Sequence, residues 1–192
     1  MNKKGFTLVE ILAVIVILGI LVTIAMTTIV PKINQSKKET FIINAKNILK
    51  TANVLFEEKQ ALNDLPNITS HSVEGIYKIY ETNYFYEPNY KVYAIDIDDL
   101  RNIMDIKKDY AGYVFFADYG EYVKSSINLS NKDFVLLKKD CLYNNINMCF
   151  LSEENLKLDL VLNKKENNIK PMTWDRIRKS NIYYICPECK KK

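Results

Sequence analysis

Three places in this chain hold side chains able to do chemistry. The first is Glu10, a lone carboxylate in an apolar block that runs on from Ile11 to Val30 without another charge. A charge carried into hydrocarbon costs roughly 2.5–3.5 kcal/mol on insertion scales, so an acid placed there is a functional hypothesis by default. The second is a set of four cysteines, Cys141, Cys149, Cys186 and Cys189. Outside the cytoplasm they suit two bridges, with Cys141–Cys149 closing a small loop and Cys186–Cys189 forming a second local pair. A four-cysteine zinc site is the alternative, because Cys186-Pro187-Glu188-Cys189 has the two-residue gap of zinc ligands. The third is Asp96, Asp98 and Asp99. They lack the glycine and distal glutamate of an EF-hand loop, so capping of a short helix explains them better than calcium. His71 is the only histidine, and without a nucleophile motif it gives no support to a hydrolase.

The element that positions Glu10 is a long helix. About 20 residues at ~1.5 Å rise cross a ~30 Å hydrocarbon core, which Ile11 to Val30 satisfies. Lys3 and Lys4 stand ahead of it and predict a cytoplasmic N-terminus with the rest of the chain outside. A secretory signal peptide needs a shorter apolar region and a small-residue cleavage site, and Pro31-Lys32-Ile33-Asn34 is not one. The helix continues as an amphipathic segment. Phe41, Ala45, Ile48, Ala52 and Leu55 recur at helical spacing, widened by Ile42, Leu49 and Phe56. Pro31 lacks an amide hydrogen and is expected to kink this helix, or else to break it at the membrane surface.

Lys3-Lys4-Gly5-Phe6-Thr7-Leu8-Val9-Glu10 before a long apolar run resembles the processing site of type IV pilins and type II secretion pseudopilins. The resemblance covers roughly residues 1–55. It implies cleavage after Gly5 by a prepilin peptidase and N-methylation of Phe6 by the same enzyme. It also implies that Glu10 neutralises the Phe6 amine of a neighbouring subunit. Both charges would otherwise be stranded in an apolar bundle, so pairing sets the stagger of assembly. The other partners it implies are further pilin or pseudopilin subunits, an inner-membrane assembly platform and the lipid bilayer. DNA joins them if the filament is a competence pilus.

The remainder reads as a globular head. Asn63-Asp64-Leu65-Pro66-Asn67 carries turn chemistry that ends the helix. Residues Gly75 to Glu81 fit a strand or a helical turn, and Asp96 to Met104 fit a short capped helix. Gly112 to Tyr119 and Glu121 to Leu129 read as a hairpin, with Phe134 to Lys138 as a third antiparallel strand. Ser152 is placed to cap a helix from Glu153 to Leu162. A helical turn over Thr173 to Ile177 and a last strand over Asn181 to Cys186 follow. Thirteen tyrosines and eight phenylalanines favour strands. Without Lys3 and Lys4, the 27 basic residues become 25 against 23 acidic, a balance that argues neither for nor against a nucleic-acid surface. Asn67-Ile68-Thr69 and Asn128-Leu129-Ser130 fit glycosylation sequons.

The expectation is therefore an α+β chain with a pilin-like plan. Residues 1–5 form a leader and 6–60 a long N-terminal helix, membrane-spanning over about 8–30 and amphipathic over 32–60. Residues 61–192 form an antiparallel β-sheet head against which the helix packs. The resemblance implies a structural filament subunit, processed and methylated, with no catalytic role, no cofactor and no resident metal. A membrane-anchored extracytoplasmic binding or redox domain is the rival.

Overall fold

Helix α1 runs Leu8–Ala61 without interruption. The computed structural model describes residues 7–66, 72–73, 75–81, 91–138, 141–143, 145–148 and 150–174. The chain divides into two compact units, Met1–Thr40 and Phe41–Lys192. Within the first, the large apolar residues of α1 are exposed, from Leu8 to Val30. The few hydroxyls of this stretch bond back into the helix. Thr23 Oγ1 donates to the Gly19 carbonyl at 2.8 Å, and Thr27 Oγ1 to the Ile24 carbonyl at 2.9 Å. Such local bonds let a polar side chain sit in an apolar helix without a stranded donor. Pro31 lies inside α1 and has no N–H to offer the Thr27 carbonyl.

In the second unit, α1 buries Phe41, Ile42, Ala45, Ile48, Leu49, Ala52, Leu55 and Phe56, the stripe that the helical period marks out. Lys59 is buried at its end, and its ammonium lies 3.4 Å from Asp64. The helix closes in a Schellman turn. Asn63 takes φ 54°, Asp64 N–H bonds the Lys59 carbonyl and Asn63 N–H the Gln60 carbonyl. Asparagine tolerates that left-handed position better than most residues.

Among the described residues the sheet has seven antiparallel strands in the order β1-β2-β3-β4-β5-β6-β9. They are β1 (Ser72–Val73), β2 (Ile76–Glu81), β3 (Lys91–Asp96), β4 (Ala111–Asp118), β5 (Val123–Ser130), β6 (Phe134–Leu136) and β9 (Val161–Asn163). A hairpin, β7 (Leu142–Tyr143) with β8 (Ile146–Asn147), stands apart from it. The stretch from Gly75 is thus resolved as a strand. The hairpin expected over Gly112–Leu129 is β4–β5, with Tyr113 opposite Asn128 and Phe116 opposite Ser125. Asn131 makes the next turn, its side-chain oxygen accepting from the amides of Asp133 and Phe134.

One face of the sheet meets α1. Phe56 stacks on Phe116 at 4.2 Å and meets Tyr93 edge-on at 5.2 Å, while Phe41 packs on Tyr110 and Phe134. Burying each such ring is worth about 1.5–3 kcal/mol. The other face, with Val92, Ala94, Tyr113 and Phe115, is covered by Phe150, Met148, Met172 and Trp174. Cover on both sides is why β4 buries six residues in succession instead of alternating.

Two expectations are corrected. No helix spans Glu153–Leu162. Two 3-10 turns, Glu153–Asn155 and Leu158–Leu160, lead into β9. The open edge of β6 recruits this segment, pairing Val135 with Leu162 and Leu136 with Val161. The Ser152 hydroxyl accepts from the Asn155 side chain at 2.8 Å in place of a helix amide. The helix after Asp96, α2, is only Ile97–Leu100, because Arg101 donates to the carbonyls of Lys107, Lys108 and Tyr110 and folds the chain back. Residues 175–177 of the expected turn at Thr173–Ile177, and the whole of the expected strand at Asn181–Cys186, lie outside the described residues.

Candidate processing and assembly site

Glu10 is the third residue of α1, and Thr7 immediately precedes the helix. Thr7 donates its backbone N–H and its hydroxyl to Glu10 Oε2, each at 2.8 Å. In return, the Glu10 N–H reaches Thr7 Oγ1 at 3.3 Å. This reciprocal arrangement is a capping box. It satisfies donors that the first helical turn would otherwise leave open. Both interactions with Thr7 fall on Oε2, and among the described residues no hydrogen bond is made by Oε1. Gly5 and Phe6 lie outside the described residues. From Leu8 onward, α1 is long and apolar enough to cross a membrane, and its most apolar stretch is unburied.

Residues 1–26 match the prokaryotic N-terminal methylation motif. This is the type IV pilin and pseudopilin signature, and it covers the basic leader, the Gly5–Phe6 junction, Glu10 and the first part of the apolar helix. No curated protein and no solved structure shows significant similarity to the chain. The motif implies processing by a prepilin peptidase and assembly with other pilin subunits. An α+β plan, with a long N-terminal helix and an antiparallel sheet, accompanies it.

The aspartates at the end of β3 and in α2 make a polar corner. Asp96 Oδ1 accepts from the Asp98 N–H at 2.9 Å and so caps α2. Asp98 pairs with Arg101. Asp99 lies beside Gly75, where a Cβ would sit 2.6 Å from the Asp99 Cβ. Burial raises the Asp96 carboxyl to about 6; the Asp99 charge adds to this and Arg101 opposes it. Burial also raises Asp99. The Tyr113 hydroxyl, across the β3–β4 ladder from Asp96, is pushed up to about 12, mainly by burial and then by the Asp96 charge. Among the described residues, no three His, Cys, Asp or Glu side chains are grouped to hold a metal ion.

Cys141 is disulfide-bonded. It opens the β7–β8 hairpin, and its carbonyl accepts from Met148 N–H at 2.9 Å. Cys149, Cys186 and Cys189 lie outside the described residues, as do His71 and the sequon at Asn67. Asn128 of the second sequon is 2% exposed, which closes it to modification in the folded chain. Pro31 stands at the end of the apolar stretch, followed by Lys32, Lys37 and Lys38. These three lysines flank the apolar stretch on its C-terminal side as Lys3 and Lys4 do on its N-terminal side.

Proposed function

We propose that the chain is a minor pilin or pseudopilin, a structural subunit of a type IV pilus-like or type II secretion filament. The observation that carries this reading is the methylation motif at residues 1–26, joined to an apolar helix and an α+β head. In this reading, the leader faces the cytoplasm, a prepilin peptidase cuts between Gly5 and Phe6, and Phe6 is N-methylated. The head lies on the extracytoplasmic side and later on the outside of the filament. An inner-membrane platform extracts the subunit. The chain is a substrate of these enzymes and has no catalytic role itself.

Glu10 is the assembly residue. Thr7 occupies Oε2, which leaves Oε1 for the Phe6 amine of an adjacent subunit. The acid is thus held in a fixed rotamer before the partner arrives, and less side-chain entropy is lost on pairing. The test is Glu10→Ala in cells with an active prepilin peptidase. The variant is expected to be cleaved like wild type but to drop out of sheared filaments. Normal incorporation would refute the pairing role.

The disulfide of Cys141 is assigned here to Cys149. The β7–β8 register sets Leu142 opposite Asn147, which brings Cys141 alongside Met148, one peptide bond from Cys149. Non-reducing peptide mapping should recover the two cysteines in one cross-linked fragment. Recovery of Cys141 joined to Cys186 or Cys189 would overturn the assignment.

A further inference from the structure

Between Glu10 and Glu39 the chain carries three lysines, Lys32, Lys37 and Lys38, and no acid. Lys32 follows Pro31 directly, where the apolar stretch ends, and Lys37 and Lys38 come five and six residues later. Lys32 and Lys37 are exposed and Lys38 is partly so. None has an ion-pair partner among the described residues. By contrast, Lys50 lies 3.6 Å from Glu153 and Lys59 3.4 Å from Asp64. Glu39, the acid nearest in sequence, is engaged by Gln35, whose Nε2 donates to it at 3.0 Å.

Their depth and their directions are informative together. At 1.5 Å per residue, Lys32 and Lys38 are separated by roughly 9 Å along the helix. The headgroup layer on each side of a bilayer is roughly 5–8 Å thick, within reach of flexible lysine stems. At 3.6 residues per turn, the three side chains leave the axis at about 0°, 140° and 240°. They surround the helix. An acidic protein docking on one face would be met by a stripe, whereas a layer of anionic headgroups around the helix is met by a ring.

We propose that Lys32, Lys37 and Lys38 form a cationic collar that binds the phosphates of anionic lipids in the leaflet where the span ends. The proposal rests on the membrane-anchored reading of α1. The collar fixes the depth of the helix while the subunit waits in the bilayer, and it adds an electrostatic barrier to its removal. A lysine near an anionic surface contributes roughly a fivefold gain in binding, so the ring supplies on the order of a hundredfold.

The experiment uses the full-length chain in nanodiscs of phosphatidylcholine, alone or mixed with phosphatidylglycerol, and counts retained lipids by native mass spectrometry. Wild type is expected to retain phosphatidylglycerol over phosphatidylcholine by at least tenfold. The Lys32→Gln, Lys37→Gln, Lys38→Gln triple variant is expected to lose the preference, and the corresponding triple arginine variant to keep it. A control with Lys107, Lys108 and Lys132 changed to Gln, all exposed in the second unit, is expected to match wild type. Equal retention of the two lipids by wild type would overturn the proposal. So would an unchanged preference in the glutamine triple, or an equal loss in the control. Co-elution with the discs is read separately: a chain that enters neither disc overturns the membrane reading itself, while one that enters both without lipid preference overturns the collar alone.

Discussion

Thr7 and Glu10 are locked together at the start of α1 by two 2.8 Å bonds into one carboxylate oxygen and a third bond returning from the Glu10 amide. The acid that the membrane makes expensive is therefore also a helix cap. Its local role explains how it is held before a neighbour arrives, and the proposed assembly role uses the oxygen left over.

Removing the Thr7 hydroxyl tests this local role. Thr7→Val keeps the shape but deletes both hydroxyl bonds, and is expected to loosen the first turn. Amide exchange of Leu8, Val9 and Glu10 in micelles should accelerate about fivefold, and Thr7→Ser should restore it. Unchanged exchange in Thr7→Val would show that the box contributes nothing.

Asp96 makes the folded chain pH-dependent. Its carboxyl is held at about 6 in the fold against 3.8 ordinarily. Between those values the folded chain keeps a proton that the unfolded chain has lost. Stability therefore falls as pH rises from about 4 to about 6, and stays at the lower level above that. Asp98, Asp99, Arg101 and Tyr113 are the other ionisable groups of this corner. Asp96→Asn removes the charge but keeps an acceptor for Asp98 N–H. Thermal melts of the full chain in micelles should show Asp96→Asn flattening this slope and melting higher than wild type at pH 7. Parallel pH profiles for the two proteins would contradict the assignment.

Gly112 is required by a close strand crossing. Its φ is +149°, and a Cβ there would sit 1.9 Å from the Asn128 carbonyl oxygen, which belongs to backbone that has little freedom to yield. Gly112→Ala is expected to cost on the order of 3 kcal/mol of head stability. Gly120→Ala, at φ +84° in an open turn with nothing within 4 Å, should cost about 1 kcal/mol. A chemical denaturation series that ranks them the other way would count against the β4–β5 register.

The stripe from Phe41 to Phe56 was legible because helical spacing and burial agree at every position. The β4–β5 hairpin was legible because aromatic and β-branched residues flank a glycine turn. Strand β3 was not: Val92, Tyr93, Ala94 and Ile95 are all buried, so this central strand shows no alternation of apolar and polar residues. Strand β9 was hidden for another reason. Val161–Asn163 becomes a strand only because the edge of β6 is open to it, a tertiary effect that local propensity does not carry. At the N-terminus the Thr7-x-x-Glu10 spacing was available as a capping signature, but the cost of a charge in lipid drew the reading of Glu10 toward partners outside the chain.

The central claim is that the N-terminus is a processing site, and the intact mass of the chain tests it most directly. Purified from cells with an active prepilin peptidase, the protein should have the mass of a chain that begins at Phe6 and carries one added methyl group, with fragmentation placing the methyl on the Phe6 amine. A chain that retains Met1, or that begins at a residue other than Phe6, would contradict the account.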